Sequence, residues 1–179
     1  MTQAILREFK AKAVQAGAEV ESFEGKAPAV RFIGRFLAAH RLTRIAAAPD
    51  ALAFVPKSGD LELLRPSSLS GFAAAEVGLV RADRGVAATG TLVHWDKGDD
   101  DRIVWTLPPV CLCVLKEKDV VADQDDLAGP MANCLSPRRS PTFAQVSFIT
   151  GPSRTADIEG ELSLGVHGPA RLIILLIKS

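Results

Sequence analysis

The aliphatic run Leu172–Ile177 constrains the fold more than any other feature of the chain. It is far too short to span a membrane, which takes about 20 apolar residues, and it lacks the alternation of a half-exposed strand. Apolar runs of similar texture occur at Val77–Val80 and Val110–Leu115. Strands of this kind are typical of sheets covered on both faces, so the pattern predicts an α/β fold with helices on both faces of the sheet.

Two amphipathic helices are predicted ahead of the strands. Apolar residues recur at helical spacing over residues 3–16, where Gly17 ends the pattern, and a second helix carries Pro28 in its first turn. From Thr43 onward, short apolar runs alternate with turn residues. We therefore expect one domain in total, with residues 1–41 forming an N-terminal helical arm that packs on an α/β domain of residues 42–179.

Local patterns assign further elements between the clearest strands. Val86–Val93, Ile103–Leu107 and Ala144–Ile149 predict strands because they are rich in aliphatic and β-branched residues. The acidic run Asp99–Asp101 is interpreted as the solvated tip of a hairpin, since adjacent carboxylates diverge and do not converge on a metal. Asp119–Ala132 is interpreted as a helix.

Charge and the N-terminal residues restrict the classes of partner. Lys plus Arg and Asp plus Glu both number 21, so the net charge gives no reason to expect nucleic acid or an anionic membrane as a partner. Arg7, Glu8 and Lys10 stand where a secretory signal would need apolar residues. We expect a cytoplasmic protein with a small anionic ligand or a protein partner.

The three cysteines do not form a metal-binding pattern. Cys111 and Cys113 are two residues apart and Cys134 is distant, whereas structural zinc and iron–sulfur sites usually need about four ligands at characteristic spacing. We interpret them as reduced thiols, with Cys111 and Cys113 at alternating positions of a strand. No intrinsic metal or cofactor is predicted.

The segment Thr150–Glu159 carries the densest set of chemical groups. It leaves a predicted strand, turns at Gly151–Pro152 and supplies hydroxyls, carboxylates and the guanidinium of Arg154. Ligands of open α/β sheets bind beyond the carboxyl ends of strands, where this loop is expected to lie. Because an arginine fork binds two oxygens at once, a carboxylate or a phosphate is a suitable ligand.

A structural interpretation of the same segment stays open. Ser153 or Thr155 could cap a helix whose positive N-terminus Asp157 and Glu159 would favour, although neither hydroxyl residue begins a capping box. Under that interpretation Arg154 makes only a surface ion pair.

Two other places could contribute to a site. In Ala82–Trp95, Thr89 and Thr91 flank Gly90 in a turn that could bring backbone N–H groups close to a ligand, although a plain glycine turn explains the same residues. His167 lies in a compact turn before the last strand and is a candidate general base. The predicted ligand-binding residues are Thr89, Gly90, Thr150, Gly151, Ser153, Arg154, Thr155 and Asp157. The candidates for catalysis are Asp157, Glu159 and His167.

Two motifs resemble a known family. TGPSRTADIEGELSLGVHGP, from Thr150 to Pro169, resembles the C-terminal signature of the lactate-utilisation protein C family and its LUD-domain relatives. ADRGVAATGTL, from Ala82 to Leu92, resembles the central motif of the family, and the order and separation of the motifs agree. The resemblance covers roughly the second half of the chain.

This resemblance implies a fold like that of the sugar-phosphate isomerase and coenzyme A transferase group. It also implies a role in oxidising L-lactate to pyruvate beside iron–sulfur companion proteins, which would supply the clusters that this chain lacks. Two functions therefore stay open: a component that binds a small carboxylate or docks with those partners, and a stand-alone enzyme acting on a phosphorylated sugar, a folate or a coenzyme A ester.

The chain departs from the family pattern at two positions. Relatives commonly carry an acidic residue just before the Thr-Gly pair, where this chain has Ala88, and often a histidine after the Leu-Pro segment, where it has Cys111. If either side chain transfers protons in relatives, this chain does not retain that group, and Ala82–Leu92 has no clear counterpart of a catalytic transferase glutamate.

Overall fold

A computed structural model describes residues 2–64, 72–95, 99–134, 145–156, 162–165 and 167–178. Its helices are α1 (Gln3–Gln15), α2 (Lys26–Ala39), α3 (Asp99–Thr106) and α4 (Ala128–Cys134). Its strands are β1 (Glu19–Phe23), β2 (Arg44–Ala47), β3 (Glu62–Leu64), β4 (Val77–Arg81), β5 (Arg84–Val86), β6 (Thr91–Trp95), β7 (Val110–Lys116), β8 (Val120–Val121), β9 (Val146–Ile149), β10 (Arg154–Ala156), β11 (Leu162–Leu164) and β12 (Arg171–Ile177). Within the described ranges, no helix is both long enough and apolar enough to cross a membrane.

The main sheet contains six strands in the order β1-β12-β7-β4-β2-β3, and every neighbouring pair is parallel. All residues of Leu172–Ile177 and of Cys111–Leu115 are buried. Because successive side chains of a strand point to opposite faces, burial of every residue means that both faces are covered. The α/β fold that the aliphatic runs predict is confirmed.

A smaller sheet has the order β8-β5-β6-β9 and rests partly on its own apolar cluster around Val86, Val93 and Leu127. The prediction of one strand over Val86–Val93 is wrong, because the chain reverses at residues 87–90 and returns as β6, antiparallel to β5. Gly90 makes this possible with a φ of 68°, which side-chain-bearing residues rarely adopt. The turn therefore lies inside the central motif.

The N-terminal segment contains a strand that the helical pattern does not reveal. α1 and α2 form as predicted, but β1 lies between them and pairs in parallel with β12 at the edge of the main sheet. Its sequence, EVESF, places exposed glutamates among partly buried Val20 and Phe23. The N-terminal arm is therefore not helical throughout. The strand was missed because an edge strand with little burial gives almost no hydrophobic signal.

Three other local predictions are wrong. Ile103–Leu107 is largely part of α3, and Asp99–Asp101 begins that helix. A short apolar run of this kind does not distinguish a strand from a buried helical turn. Asp119–Ala132 contains strand β8, paired with β5, and its helix α4 begins only at Ala128.

Candidate functional site

A cavity of about 380 Å³ lies between α3, β9 and the start of β12. Its polar lining comes from Arg102 and Thr106 on α3, from Gln145 and Ser147 at β9, and from the loops on either side of β10 and β11. The residues that line it are Arg102, Trp105, Thr106, Gln145, Ser147, Phe148, Ile149, Thr150, Gly151, Ser153, His167, Gly168, Pro169 and Leu172. The cavity size lies within the range of roughly 300–1,000 Å³ typical of small-molecule sites.

Helix α3 presents three members of one helical face to this cavity. Arg102, Trp105 and Thr106 have the i, i+3, i+4 spacing that places side chains together. α3 can approach strand β4 closely because of Gly78, where a Cβ atom would lie 2.3 Å from the carbonyl oxygen of Val104. The glycine therefore fixes the distance between the sheet and the helix that carries Arg102.

The guanidinium of Arg102 is the cationic group of the cavity. Its Nη1 donates a hydrogen bond of 2.6 Å to Oε1 of Gln145, which orients the guanidinium toward β9. Among the described residues of the lining, none is a carboxylate. A partly buried arginine beside hydroxyl and amide groups is suited to a carboxylate or a phosphate, because its planar fork pairs with two oxygens.

The loops that close the cavity are joined by backbone hydrogen bonds. The N–H of Ser153 donates to the carbonyl of Pro169 at 2.9 Å, and the N–H of Gly165 donates to the carbonyl of Ser153 at 3.1 Å. Gly168 packs directly on the Ser153 side chain, since a Cβ atom there would lie 3.1 Å from the Ser153 Cβ. The signature segment and the turn before β12 thus form one wall.

The two family motifs meet in a cluster of threonine hydroxyls. The Oγ1 of Thr91 lies 2.7 Å from the Oγ1 of Thr89 and 2.7 Å from the Oγ1 of Thr150. Thr91 is buried, whereas Thr150 lines the cavity. This threonine cluster (Thr89, Thr91 and Thr150) links the central turn to the start of the signature segment.

The other side of the same motifs packs on the C-terminal end of α1. A Cβ atom at Gly90 would lie 2.2 Å from the backbone nitrogen of Ala13, and one at Gly151 would lie 2.3 Å from the carbonyl oxygen of Ala16. Nη2 of Arg154 donates a hydrogen bond of 3.0 Å to that Ala16 oxygen. A cation at a helix C-terminus is favourable because the last carbonyls have no partner within the helix.

The predicted site residues therefore separate into groups. Thr150, Gly151, Ser153 and His167 line the cavity, while Arg154 does not, and Gly90 faces α1. Thr89 is joined to the cavity wall through Thr91, the side chain of Thr155 has no described position, and Asp157 and Glu159 lie outside the described residues. Whether any of these residues binds a ligand stays a prediction.

Two expectations about the signature segment are wrong. Arg154–Ala156 is a strand, paired with β11, so Ser153 does not begin a helix there. Thr150 follows β9, which belongs to the smaller sheet, and the cavity is bounded by Leu172 near the amino end of β12. The site therefore does not lie at the carboxyl edge of the parallel sheet.

Sequence reasoning missed the residues of the cavity that lie outside the motifs, namely Arg102, Trp105, Gln145 and Ser147. The spacing of Arg102, Trp105 and Thr106 was the available signal, but the prediction of a strand over Ile103–Leu107 concealed it. Gln145 and Ser147 gave a second signal, because alternate residues of a strand share one side.

His94 is a buried histidine that does not line the cavity. It is 1% exposed, its Nδ1 lies 3.4 Å from Oδ2 of Asp83, and its ring centre is 5.3 Å from that of Trp105. Asp83 also accepts a hydrogen bond from the backbone N–H of Trp95. Trp105 thus packs on both this histidine and the cavity, and the His94–Asp83 pair supports the wall behind the site.

The cysteines of β7 are buried free thiols, as predicted. Burial raises the pKa of Cys111 to about 12. The pKa of Cys113 is also raised well above its ordinary value, first by burial and then by Cys111, with smaller contributions from Asp50 and Asp83. Both thiols therefore stay protonated at neutral pH and are poor nucleophiles. Within the part of the chain that the structure describes, no group of three or more His, Cys, Asp or Glu residues could hold a metal ion.

Fold and cavity together define a mixed α/β protein with a mainly parallel central sheet and an anion-suited cavity beside it. The chain belongs to the LUD domain family, whose family model matches residues 6–177. It is similar to a crystal structure of a DUF162 family protein from Deinococcus radiodurans, with a TM-score of 0.74, 21% identity and 99% of each chain covered. At this identity the likeness establishes the fold.

Curated relatives match somewhat more than half of the chain. Lactate utilization protein C of Shouchella clausii is 30% identical over 103 residues, which cover 58% of this chain and 44% of the relative. Lactate utilization protein C of Halalkalibacterium halodurans is 30% identical over 105 residues, covering 58% of this chain and 45% of the relative. The matches therefore span less than half the length of these relatives.

Proposed function

We propose that this chain is a component of an L-lactate utilisation system and binds a small carboxylate in the cavity beside α3. The names of its relatives support the pathway, and the position of Arg102 supports the ligand class. The guanidinium of Arg102, held by Gln145, is the single observation on which the binding proposal depends.

The cavity offers complementary groups for lactate or pyruvate. Arg102 pairs with the carboxylate through two N–H donors, and Ser147 or Ser153 exchanges a hydrogen bond with the 2-hydroxyl or 2-oxo oxygen. His167, exposed at the cavity, is the described lining residue best suited to accept or supply a proton. Arg154, which the sequence pattern favours as the carboxylate ligand, instead keeps α1 in place.

We further propose that iron–sulfur companion proteins are the partners of this chain and carry the electrons from lactate. The resemblance of the two motifs supports this part. Cys111 and Cys113 are unsuited to holding a cluster within this fold, because both are fully buried in the central strand β7 and their thiols are protonated.

Calorimetric titration with L-lactate and with pyruvate tests the binding proposal. We expect saturable binding to the unaltered chain and a loss of at least tenfold in affinity for Arg102→Gln, since a charge-assisted hydrogen bond contributes about 1.5–3 kcal/mol. Arg35→Gln is the matched control, because Arg35 is exposed on α2. Equal affinities of the two variants would place the carboxylate elsewhere.

Co-purification tests the partner proposal independently. The tagged chain, expressed in its native host, should bring down proteins with the visible absorption of iron–sulfur clusters. Absence of both binding and co-purification would contradict the proposed function. Turnover of a sugar phosphate, a folate or a coenzyme A ester by the purified chain would favour the stand-alone enzyme instead.

A further inference from the structure

We infer that the cavity accommodates 2-hydroxy or 2-oxo acids with a bulky apolar side chain, in preference to lactate or pyruvate. The inference rests on the proposed function, because it keeps the carboxylate on Arg102 and concerns what fills the remaining space. It assigns a substrate class to this site that is wider than the three-carbon acids.

The size of the cavity is the first observation. At about 380 Å³ it is within the range that encloses drug-sized molecules, roughly 300–1,000 Å³. A three-carbon acid bound to Arg102 would leave most of this volume to water. An acid with a longer side chain would displace that water from apolar surface, which is the main favourable contribution to binding of apolar groups.

The composition of the wall is the second observation. Four of its residues present apolar surface from separate parts of the fold: Trp105, Ile149, Pro169 and Leu172. Trp105, Pro169 and Leu172 are buried, whereas Ile149 is partly exposed. A partly exposed aliphatic side chain at a cavity is a surface that an apolar ligand group can cover with a gain in free energy.

The polar and apolar groups also follow an order along β9. Gln145, Ser147 and Ile149 are alternate residues and therefore share one side of the strand. Gln145 binds Arg102 at the start of β9, and Ile149 lies at its end. A ligand whose carboxylate pairs with Arg102 can thus extend its side chain along β9 from a polar to an apolar environment.

A ligand series on the unaltered chain tests the inference. Calorimetric titrations would use L-lactate, L-2-hydroxybutyrate, L-2-hydroxyisocaproate and L-phenyllactate. Each buried methylene adds about fourfold in affinity, so we expect L-phenyllactate and L-2-hydroxyisocaproate to bind at least tenfold more tightly than L-lactate.

Ile149→Ala should reduce the affinity for L-phenyllactate severalfold more than the affinity for L-lactate. Leu107→Ala is the control, because Leu107 is an exposed apolar residue that does not line the cavity. Equal or tighter binding of L-lactate than of L-phenyllactate would overturn the inference and leave the proposed function standing. Failure of all four acids to bind would overturn the proposed function and the inference with it.

Discussion

The residues of the six-stranded sheet and those of the four-stranded sheet have different roles. In the main sheet the central strands β7 and β12 are buried on both faces, and the two cysteines of β7 are protonated thiols with little reactivity. In the smaller sheet the turn between β5 and β6 and the loop after β9 bring hydroxyls and glycines together against α1 and the cavity. The larger sheet thus supports the fold and, through the close approach of α3 at Gly78, the helix that carries Arg102, while the smaller sheet positions the motif residues of the candidate site.

In the smaller sheet, we expect a large loss of stability from a substitution at Gly90, in the turn between β5 and β6. Gly90→Ala should lower the free energy of unfolding by about 3 kcal/mol or more, because the new Cβ would lie 2.2 Å from the backbone nitrogen of Ala13 and φ is 68°. Urea unfolding followed by circular dichroism measures the effect. Gly129→Ala is the control: apart from its own helix, no described residue has an atom within 4 Å of the position that the new methyl group would take, so stability should stay the same or rise slightly.

A small effect of Gly90→Ala, comparable to that of Gly129→Ala, would contradict the close packing of α1 on the central motif. It would then reopen the interpretation in which Gly90 keeps its backbone accessible to a ligand.

The buried cysteines of the main sheet should make the free energy of unfolding depend on pH. The thiol of Cys111 has an ordinary pKa of 9.0, which burial raises to about 12, and the pKa of Cys113 is also raised. Above pH 9 the unfolded chain releases these protons while the folded chain retains them, so stability is full below pH 9 and falls as the pH rises toward 12. Each thiol should contribute a loss of about 1.4 kcal/mol per pH unit in this window.

Urea unfolding at about pH 8 and about pH 10.5 checks this dependence: Cys111 should account for about 2 kcal/mol between them, and Cys113 for a further loss in the same direction. The chain contains no tyrosine, so no phenol titrates in the same range. A Cys111→Ala/Cys113→Ala variant should lose less stability over the same interval. Identical pH profiles would show that the two thiols are not shielded by the sheet.

The same difference between the sheets explains what the sequence could predict. β7 and β12 are recognisable because burial on both faces requires an unbroken apolar run, whereas β1 carries exposed glutamates and leaves no such run. Thr150, Ser153 and His167 could be found because they lie in recognisable motifs. Arg102 could not, since its apolar neighbours Ile103, Val104 and Trp105 suit a strand as well as a helical turn.

The sequence pattern also could not predict contacts between residues far apart in the chain. Nothing in the signature segment indicates that Arg154 would donate to Ala16, more than a hundred residues before it in the chain. The same holds for Gly151, whose close neighbour is the carbonyl of Ala16. The packing role of both residues becomes visible only when α1 is in place beside them.

The threonine cluster should matter to both stability and binding. Thr91→Val keeps the shape of a buried side chain but removes the hydroxyl that pairs with Thr89 and Thr150. We expect a loss of about 1 kcal/mol in the free energy of unfolding and a severalfold loss of carboxylate affinity, because Thr150 lines the cavity. Thr43→Val, at an exposed position away from the cavity, is the control. Unchanged affinity would show that the cluster supports the fold alone.

The smallest expected change in stability is that of Arg154→Ala, and it distinguishes the role of Arg154 from that of Arg102. Arg154→Ala should lower the free energy of unfolding by under about 1 kcal/mol, because it removes one exposed hydrogen bond to the end of α1. Carboxylate affinity should stay within about twofold, whereas Arg102→Gln should reduce it at least tenfold. Urea unfolding and calorimetric titration of both variants give this comparison. If Arg154→Ala abolished binding, the anion would belong to the signature segment itself, and the division between a side that packs on α1 and a side that faces the cavity would be wrong.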